Sequence, residues 1–349
     1  MEKRREYIFD ILRILSMFLV LVVHVSNYYM RRYSYISFGS YIGGSLFNTL
    51  ARVCVPVFFM ISGALLLSKK YSFDNYKKRV LKFVYILLFW SFIYIIWDKY
   101  FLNQDINVLT TGIRALFHPV KAHLWFMYAI IGLYITLPFA QVLVNNMDRD
   151  LENLFIKLWL FFSGGIYILR VVFSQLEIST SIQYPIPFIQ ATYFLGYFIS
   201  GYIIYNRLSM KKDAKKHNKK IVFFYLTSTL ITFAGTVIMS FIKDEYFQSL
   251  FAYRSLFLIT SSVTLFSLCI INKDKITSKL NNNLILDLTK YSFGIYLVHV
   301  IILNLLTNSL EIVKVSSFIG IPFFSFLIFI ISYIIIKFIS KIKYLKEFI

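Results

Sequence analysis

The feature that most constrains the fold of this chain is a series of long apolar runs separated by short polar segments. Ten runs are long enough, at about 20 residues, to cross a hydrocarbon core of about 30 Å as an α-helix. They span residues 7–29, 46–68, 80–101, 122–144, 154–174, 187–206, 220–242, 248–271, 287–309 and 315–340. Backbone groups in lipid must be hydrogen-bonded within the chain. The sequence therefore predicts an all-α, polytopic integral membrane protein of about ten transmembrane helices.

The composition supports the same class. Apolar residues make up 58% of the 349 residues and charged residues only 15%, which is too little polar surface for a soluble protein of this size. Cys54 and Cys269 lie inside apolar runs without the spacing of a redox pair or a metal site, so we interpret them as packing residues. We expect no metal.

The net charge of +20 raises the question of a nucleic-acid partner, but the positions of the basic residues argue against one. With the N-terminus in the cytoplasm, the cytoplasmic segments hold 24 Lys and Arg and the outside loops hold 7. Such an imbalance is the usual orientation signal of membrane proteins. We predict that both termini are cytoplasmic, that residues 1–349 form one transmembrane domain without a soluble extracytoplasmic domain, and that nucleic acid is not a partner.

Ionisable residues inside a bilayer are functional candidates, and the first segment holds the most. Asp10 and Arg13 are three residues apart and share a helix face. His24 follows eleven residues after Arg13, about three turns or 16 Å along the same face, so one internal cavity could border both. The alternatives are a snorkelling flank residue for Arg13 and a packing hydrogen bond for His24.

Other candidates lie at the ends of later segments. Lys78, Arg79 and Lys82 precede or begin the third segment, where they could hold a polyanion or simply set the orientation. His123 and Trp125 begin the fourth segment at the outer interface, and either could be an ordinary interfacial residue. Further buried candidates are Arg254 in the eighth segment, and Tyr296 and His299 in the ninth.

The second segment contains a run from Val55 to Gly63 that predicts a particular helix geometry. Pro56 should kink the helix, and Ser62 followed by Gly63 should allow a neighbouring helix to approach closely. Taken alone, this run indicates only helix packing.

Together, these motifs resemble the acyltransferase-3 family of bacterial membrane acyltransferases, in particular stand-alone O-acetyltransferases. The family's first helix carries a basic residue, ten intervening residues and a histidine, and Arg13 and His24 have this spacing. The runs Val55 to Gly63 and Arg79-Val-Leu-Lys82 resemble the second- and third-helix motifs, with lysine where the latter has its second arginine. His123-Leu-Trp-Phe and Ser292-Phe-Gly-Ile-Tyr-Leu-Val-His299 resemble the fourth- and ninth-helix signatures.

The resemblance implies acyl transfer from a cytoplasmic acyl-coenzyme A, such as acetyl-CoA, to a hydroxyl of a cell-surface or lipid-linked glycan at the bacterial cytoplasmic membrane. In this interpretation His24 is the general base, with Arg13 and Asp10 beside it in the catalytic set. Arg79, Lys82 and Lys78 hold the coenzyme A phosphates. A set of five residues lines the acceptor side: His123, Trp125, Arg254, His299 and Tyr296. Membrane lipid is a further partner.

Two other function classes remain open from the residues alone. A transporter or flippase for a glycan or small acid would also need buried histidine and arginine, and so would a membrane sensor without catalytic activity. Binding of coenzyme A separates them, because only the acyltransferase requires it.

Overall fold

The protein is described here from a computed structural model, which covers residues 6–69, 72–178, 187–209, 213–278 and 282–349, without the side chains of 187–193 and 282. These residues form α-helices joined by short turns, and no strand occurs among them. The helices are α1 (Tyr7–Met30), α2 (Phe38–Ala51), α3 (Cys54–Leu66), α4 (Phe73–Tyr100), α5 (Val108–Arg114), α6 (Trp125–Asn145), α7 (Arg149–Trp159), α8 (Ile166–Gln175), α9 (Pro187–Ser209), α10 (Asn218–Lys243), α11 (Leu256–Ile271), α12 (Lys273–Thr277), α13 (Asn282–Ser309) and α14 (Ser317–Ile339).

The predicted all-α polytopic architecture is confirmed. Within the described residues, nine helical segments are long and apolar enough to cross a membrane. The remaining predicted run, 187–206, coincides with α9, a helix of 23 residues whose first seven side chains lie outside the described part. The inside and outside assignment of the termini stays a prediction.

The second membrane segment begins earlier than predicted and is broken in the middle. It starts at Phe38 rather than at residue 46, because Ser37 caps α2 and the glycines that follow lower the hydropathy without ending the helix. α2 and α3 are separated at Arg52 and Val53. Pro56 has no N–H to donate to the Arg52 carbonyl, so the helix breaks there, as the sequence predicted.

The fifth segment is also longer than the predicted 154–174. It runs from Arg149 to Gln175 and contains a π-helical stretch, Leu160–Gly165, between α7 and α8. Asp148 begins it, because the carboxylate accepts a hydrogen bond from the Leu151 N–H at 2.8 Å and caps α7. Only 17% of its most apolar window is buried inside the protein, so this segment lies at the periphery.

The centre of the protein is α1, which packs against α2, α3, α13 and α14. α9 packs closely against α3. A Cβ on Gly63 would lie 1.7 Å from the Phe198 carbonyl oxygen, and a Cβ on Gly201 would lie 2.1 Å from that of Met60. The prediction that Gly63 admits a neighbouring helix is confirmed, and the neighbour is α9.

α10 carries its polar side chains toward the protein and its apolar ones outward. Ser228, Thr232, Thr236 and Ser240 recur every four residues and are buried. Ser240 shares a 2.5 Å hydrogen bond with the hydroxyl of Tyr41 from α2. This inverted pattern is typical of a helix whose outer face meets lipid, where apolar side chains need no shielding and hydroxyls join helices.

Candidate active site

Two cavities follow one another along α1. The first, here the inner cavity, has a volume of about 250 Å³ and lies toward the start of α1, the end predicted to be cytoplasmic. It is lined by Arg13, Val20, Val55, Phe58, Ser62, Phe83, Phe126, Ile130, Tyr134, Ser292, Phe293 and Tyr296. The second, the outer cavity, has a volume of about 470 Å³ and lies toward the end of α1. It is lined by Val23, His24, Asn27, Tyr28, Arg31, Arg32, Arg52, Lys121, Ala122, His123, Trp125, Tyr253, Val300, Leu303 and Asn304.

The same three helical regions line both cavities in succession. α1 contributes Val20 to the inner and His24 to the outer cavity, and α13 contributes Tyr296 to the inner and Val300 to the outer. The turn before α6 and α6 itself run in the opposite direction, so His123 lines the outer cavity and Ile130, later in the chain, lines the inner one. The cavities are therefore stacked along the helix axes, and their junction lies between Val20 and His24 on α1 and between Tyr296 and Val300 on α13.

Three histidines meet at this junction. The ring centres of His24 and His299 are 5.0 Å apart, those of His123 and His299 are 5.1 Å apart, and those of His24 and His123 are 6.3 Å apart. They come from α1, from the short helical turn before α6 and from α13. His123 and His299 are buried, and His24 is half-buried and lines the outer cavity.

Hydrogen bonds to the backbone fix the positions of these rings. The Tyr296 hydroxyl donates to the His123 carbonyl oxygen at 2.6 Å, and His299 Nδ1 lies 2.5 Å from the Tyr296 carbonyl oxygen. A neutral imidazole that donates from Nδ1 leaves Nε2 as an acceptor, the form required of a base. Both ring nitrogens of His123 and Nε2 of His299 are buried without a hydrogen-bond partner among the described residues. These buried nitrogens are available to a substrate that reaches the cluster.

Tyr94 supports the cluster from α4. Its hydroxyl donates to the Leu297 carbonyl oxygen at 2.7 Å, and its ring centre is 5.0 Å from that of His123. Tyr94 is fully buried, so its hydroxyl needs this acceptor. The contact joins α4 to α13 and closes one side of the histidine cluster.

The Arg13 and Asp10 pair lies at the inner cavity, away from the histidines. Arg13 Nη1 is 3.2 Å from Asp10 Oδ1, and the Arg13 side chain retains 36% exposure whereas Asp10 is buried. The sequence suggested one cavity bordering both Arg13 and His24. Instead, Arg13 lines the inner cavity and His24 the outer one, because the side chains at the junction divide the space between them.

Of the predicted phosphate-binding residues, only Arg79 approaches the inner cavity. Its guanidinium carbon is 5.6 Å from the ring centre of Tyr134, a lining residue. Phe83, four residues later on the same face, also lines the cavity. Lys78 and Lys82 are exposed and are not part of the lining, because each successive residue of a helix turns by about 100°.

The predicted acceptor-side residues separate into three places. Trp125 lines the outer cavity and stacks on Phe194, with ring centres 5.4 Å apart. His123 lines the same cavity within the histidine cluster, while His299 completes the cluster and Tyr296 lines the inner cavity. Arg254 lines neither, and its guanidinium carbon lies 4.7 Å from the ring centre of Tyr167.

Sequence reasoning missed Arg52 and Tyr253, which both line the outer cavity. Arg52 had a usable signal, since it is an arginine inside a predicted membrane segment and such residues rarely face lipid. Tyr253 had none, because tyrosine is common throughout this chain.

Among the described residues, no group of three or more His, Cys, Asp or Glu is arranged to hold a metal ion. What the arrangement can do chemically is exchange a proton at a histidine that is reached from a cavity.

Comparison with known proteins identifies the family of the chain. The family model described as "Acyltransferase domain", the acyltransferase-3 family, matches residues 6–337, nearly the whole chain. Searches of curated proteins and of solved structures gave no match. The match includes all three histidines and both cavities, and the chain belongs to the acyltransferase-3 family of membrane acyltransferases.

Proposed function

We propose that this acyltransferase moves an acetyl group from acetyl-CoA to a hydroxyl of a cell-surface or lipid-linked glycan at the bacterial cytoplasmic membrane. The observation that carries the proposal is the histidine cluster at the junction of two cavities. A donor and an acceptor that arrive from opposite ends of the helix bundle would meet at these rings. Membership of the acyltransferase family favours this function over transport or sensing.

In this proposal the inner cavity receives the acyl-coenzyme A. Its lining is mostly aromatic and aliphatic, which suits the narrow pantetheine arm and the acyl group better than the nucleotide. Arg13 lines this cavity and Arg79 lies beside its Tyr134 wall, so the two guanidinium groups could bind the phosphates outside it. Lys78 and Lys82 would then contribute a diffuse positive potential rather than direct contacts.

The proposed chemistry uses His24 as the general base. The acceptor hydroxyl oxygen attacks the thioester carbonyl carbon while His24 takes the hydroxyl proton. The tetrahedral intermediate then collapses as the C–S bond breaks, and His24 returns the proton to the coenzyme A sulfur. His123 and His299 have buried ring nitrogens without a hydrogen-bond partner among the described residues, and these would hydrogen-bond to the oxyanion or to the hydroxyl.

The test is transfer of labelled acetyl groups from acetyl-CoA to glycan in membranes matched for protein level. His24→Gln keeps a hydrogen-bonding side chain but cannot take a proton, so we expect transfer to fall by about 10²–10⁴-fold while donor binding persists. His217→Ala is the control, because His217 is exposed in the turn before α10 and borders neither cavity.

If His24→Gln retains more than about a tenth of wild-type transfer, the loss is smaller than removal of a general base allows. His24 would then be a packing residue, and His123→Gln and His299→Gln would identify the base. Labelled succinyl-CoA in the same assay decides which acyl group the protein prefers.

A further inference from the structure

The outer cavity concentrates positive charge to a degree that helix orientation does not explain. Its described lining contains four cationic side chains and no carboxylate: Arg31, Arg32, Arg52 and Lys121. The outside loops hold only seven basic residues in total, and three of these seven line this one cavity. The positive-inside rule explains basic residues on the cytoplasmic side only, so it does not explain why basic residues of the outside loops concentrate at one cavity.

Two of the arginines are held by neutral groups. Arg52 Nε donates to the Phe251 carbonyl oxygen at 3.1 Å, and its guanidinium carbon lies 5.5 Å from the ring centre of Tyr253. Arg32 Nη1 donates to the Tyr28 carbonyl oxygen at 3.0 Å, and its guanidinium carbon lies 3.6 Å from that ring. These contacts orient both guanidinium planes but leave their charges without a carboxylate among the described residues.

The other two cations differ from each other. Lys121 forms a 2.5 Å ion pair with Asp98, and both side chains are largely buried, so that charge is compensated. Arg31 is exposed, and within the described part of the chain its guanidinium has no hydrogen bond or ion pair. Three arginine charges therefore face one cavity without a compensating carboxylate among the described residues. A concave site with walls of low dielectric constant strengthens their combined potential.

We infer that the outer cavity binds an oxyanion, a phosphate or carboxylate, carried by the acceptor. This inference rests on the proposed function, since it names the chemical class of the acceptor for the same site. Guanidinium groups bind both oxyanions through paired N–H donors. Trp125, Tyr253 and Asn304 also line this cavity, so a sugar ring would meet aromatic side chains and an amide beside the cations.

The geometry also relates this anion site to the reaction. His24 lines the same cavity as Arg31 and Arg52. An acceptor held by its charged group would present a neighbouring hydroxyl to the imidazole, in the way that binding away from the reacting atom positions a substrate. The arginines are thus specificity-determining residues, and they take no part in proton transfer.

The first experiment identifies the acceptor class in cells. Cells that express the wild-type protein or His24→Gln receive labelled acetate, and their surface glycans are separated by anion exchange. We expect the label that depends on the active protein in the anionic fraction. Such label in neutral glycans alone would overturn the inference and leave the proposed function standing. Absence of any such label would overturn the proposed function as well.

The second experiment tests the arginines with purified protein in phosphatidylcholine vesicles, labelled acetyl-CoA and the anionic glycan fraction. We expect Arg52→Gln and Arg31→Gln each to raise KM for the glycan by about tenfold or more, with acetyl-CoA binding unchanged. Arg52→Lys should be intermediate, because lysine keeps the charge and loses the paired donors. Arg114→Gln is the matched control, an exposed arginine of α5 outside both linings.

Two outcomes would overturn the inference. Arg52 donates to the Phe251 carbonyl oxygen, so its substitution could affect folding, whereas Arg31 has no such bond. An unchanged KM in Arg31→Gln, together with an unchanged KM in Arg52→Lys, argues against an anion site. An effect that appears only when phosphatidylglycerol is added to the vesicles would show that the oxyanion belongs to a lipid headgroup and not to the acceptor.

Discussion

Substitution of Gly63 by alanine tests the close packing that holds the inner cavity in shape. The added Cβ would lie 1.7 Å from the Phe198 carbonyl oxygen and 2.6 Å from its carbonyl carbon. Ordinary van der Waals contact begins at about 3.4 Å, so α3 and α9 must separate by more than 1 Å. The obstacle is backbone, which cannot rotate away as a side chain can.

The consequence reaches the cavity because α3 also carries Val55, Phe58 and Ser62 into its wall. Overpacking of a well-packed core costs about 1–3 kcal/mol, and contact with backbone places this substitution at the upper end. We expect the apparent melting temperature to fall by about 5 °C or more. We also expect acyl transfer to fall by about 10²-fold, the usual effect of a displacement of 1 Å near a reacting group.

The assay is thermal unfolding of detergent-purified protein, followed by acetyl transfer in reconstituted vesicles. Gly201→Ala, whose Cβ would lie 2.1 Å from the Met60 carbonyl oxygen, approaches the same interface from α9 and should act in the same direction. Gly132→Ala is the control. Nothing lies within 4 Å of its Cβ, so the better helix propensity of alanine should leave the melting temperature unchanged or slightly raised.

The reasoning would be refuted if Gly63→Ala and Gly132→Ala behaved alike. Equal melting temperatures, within about 1 °C, would mean that α3 and α9 do not approach as closely as described. A lowered melting temperature with normal transfer would support the close packing of α3 and α9 but would show that this packing does not control the shape of the inner cavity.

Three further predictions concern orientation, donor binding and the histidine cluster. Single cysteines near Lys215 should resist membrane-impermeant thiol reagents in intact cells, and those near Ile106 should react. The opposite pattern would show that the predicted orientation is wrong. Arg79→Ala should weaken acetyl-CoA binding in a filter or calorimetric assay by about 1.5–3 kcal/mol, and Lys82→Ala by less, whereas equal losses would favour a diffuse potential. Tyr296→Phe removes the 2.6 Å hydrogen bond that positions His123, so kcat should fall by about tenfold at unchanged donor affinity.

Much of the fold was predictable from local sequence. Apolar length alone gives the membrane helices, because the thickness of the hydrocarbon core sets the number of residues required. Pro56 predicted the break before α3, and Gly63 predicted a close helix contact. The start of the second segment at Phe38 was missed, since glycine and serine lower hydropathy without preventing a helix that is buried in the protein.

The sequence names the residues of the candidate site, but their arrangement could not be predicted from it. Family resemblance supplied His24, His123 and His299 from three distant parts of the chain. Their convergence depends on how α1, the turn before α6 and α13 pack, which no local pattern encodes. Arg254 illustrates the limit. Its neighbour Tyr253 lines the outer cavity, whereas the Arg254 side chain packs on Tyr167, and no sequence pattern indicates which of two adjacent residues enters a cavity.

Arg52 shows a different limit. Its position is set by the break between α2 and α3, which ends one helix just where the arginine occurs. A hydropathy average over the whole segment hides a single charge. The structure makes the charge visible because the same break brings Arg52 to the Phe251 carbonyl and to the outer cavity.

The division of the space along α1 into two cavities has an electrical consequence. A membrane potential falls mainly across the part of a protein that water does not fill. With water in both cavities, that part along α1 would be the junction at Val20, Tyr296 and the histidines. A full elementary charge moved across 100 mV changes energy by about 2.3 kcal/mol. A proton exchanged at this thin barrier moves through a share of that voltage, so turnover in an energised membrane should differ from turnover in a depolarised one. In the proposed reaction, an acyl group would pass this boundary without opening a path through which ions could dissipate the potential.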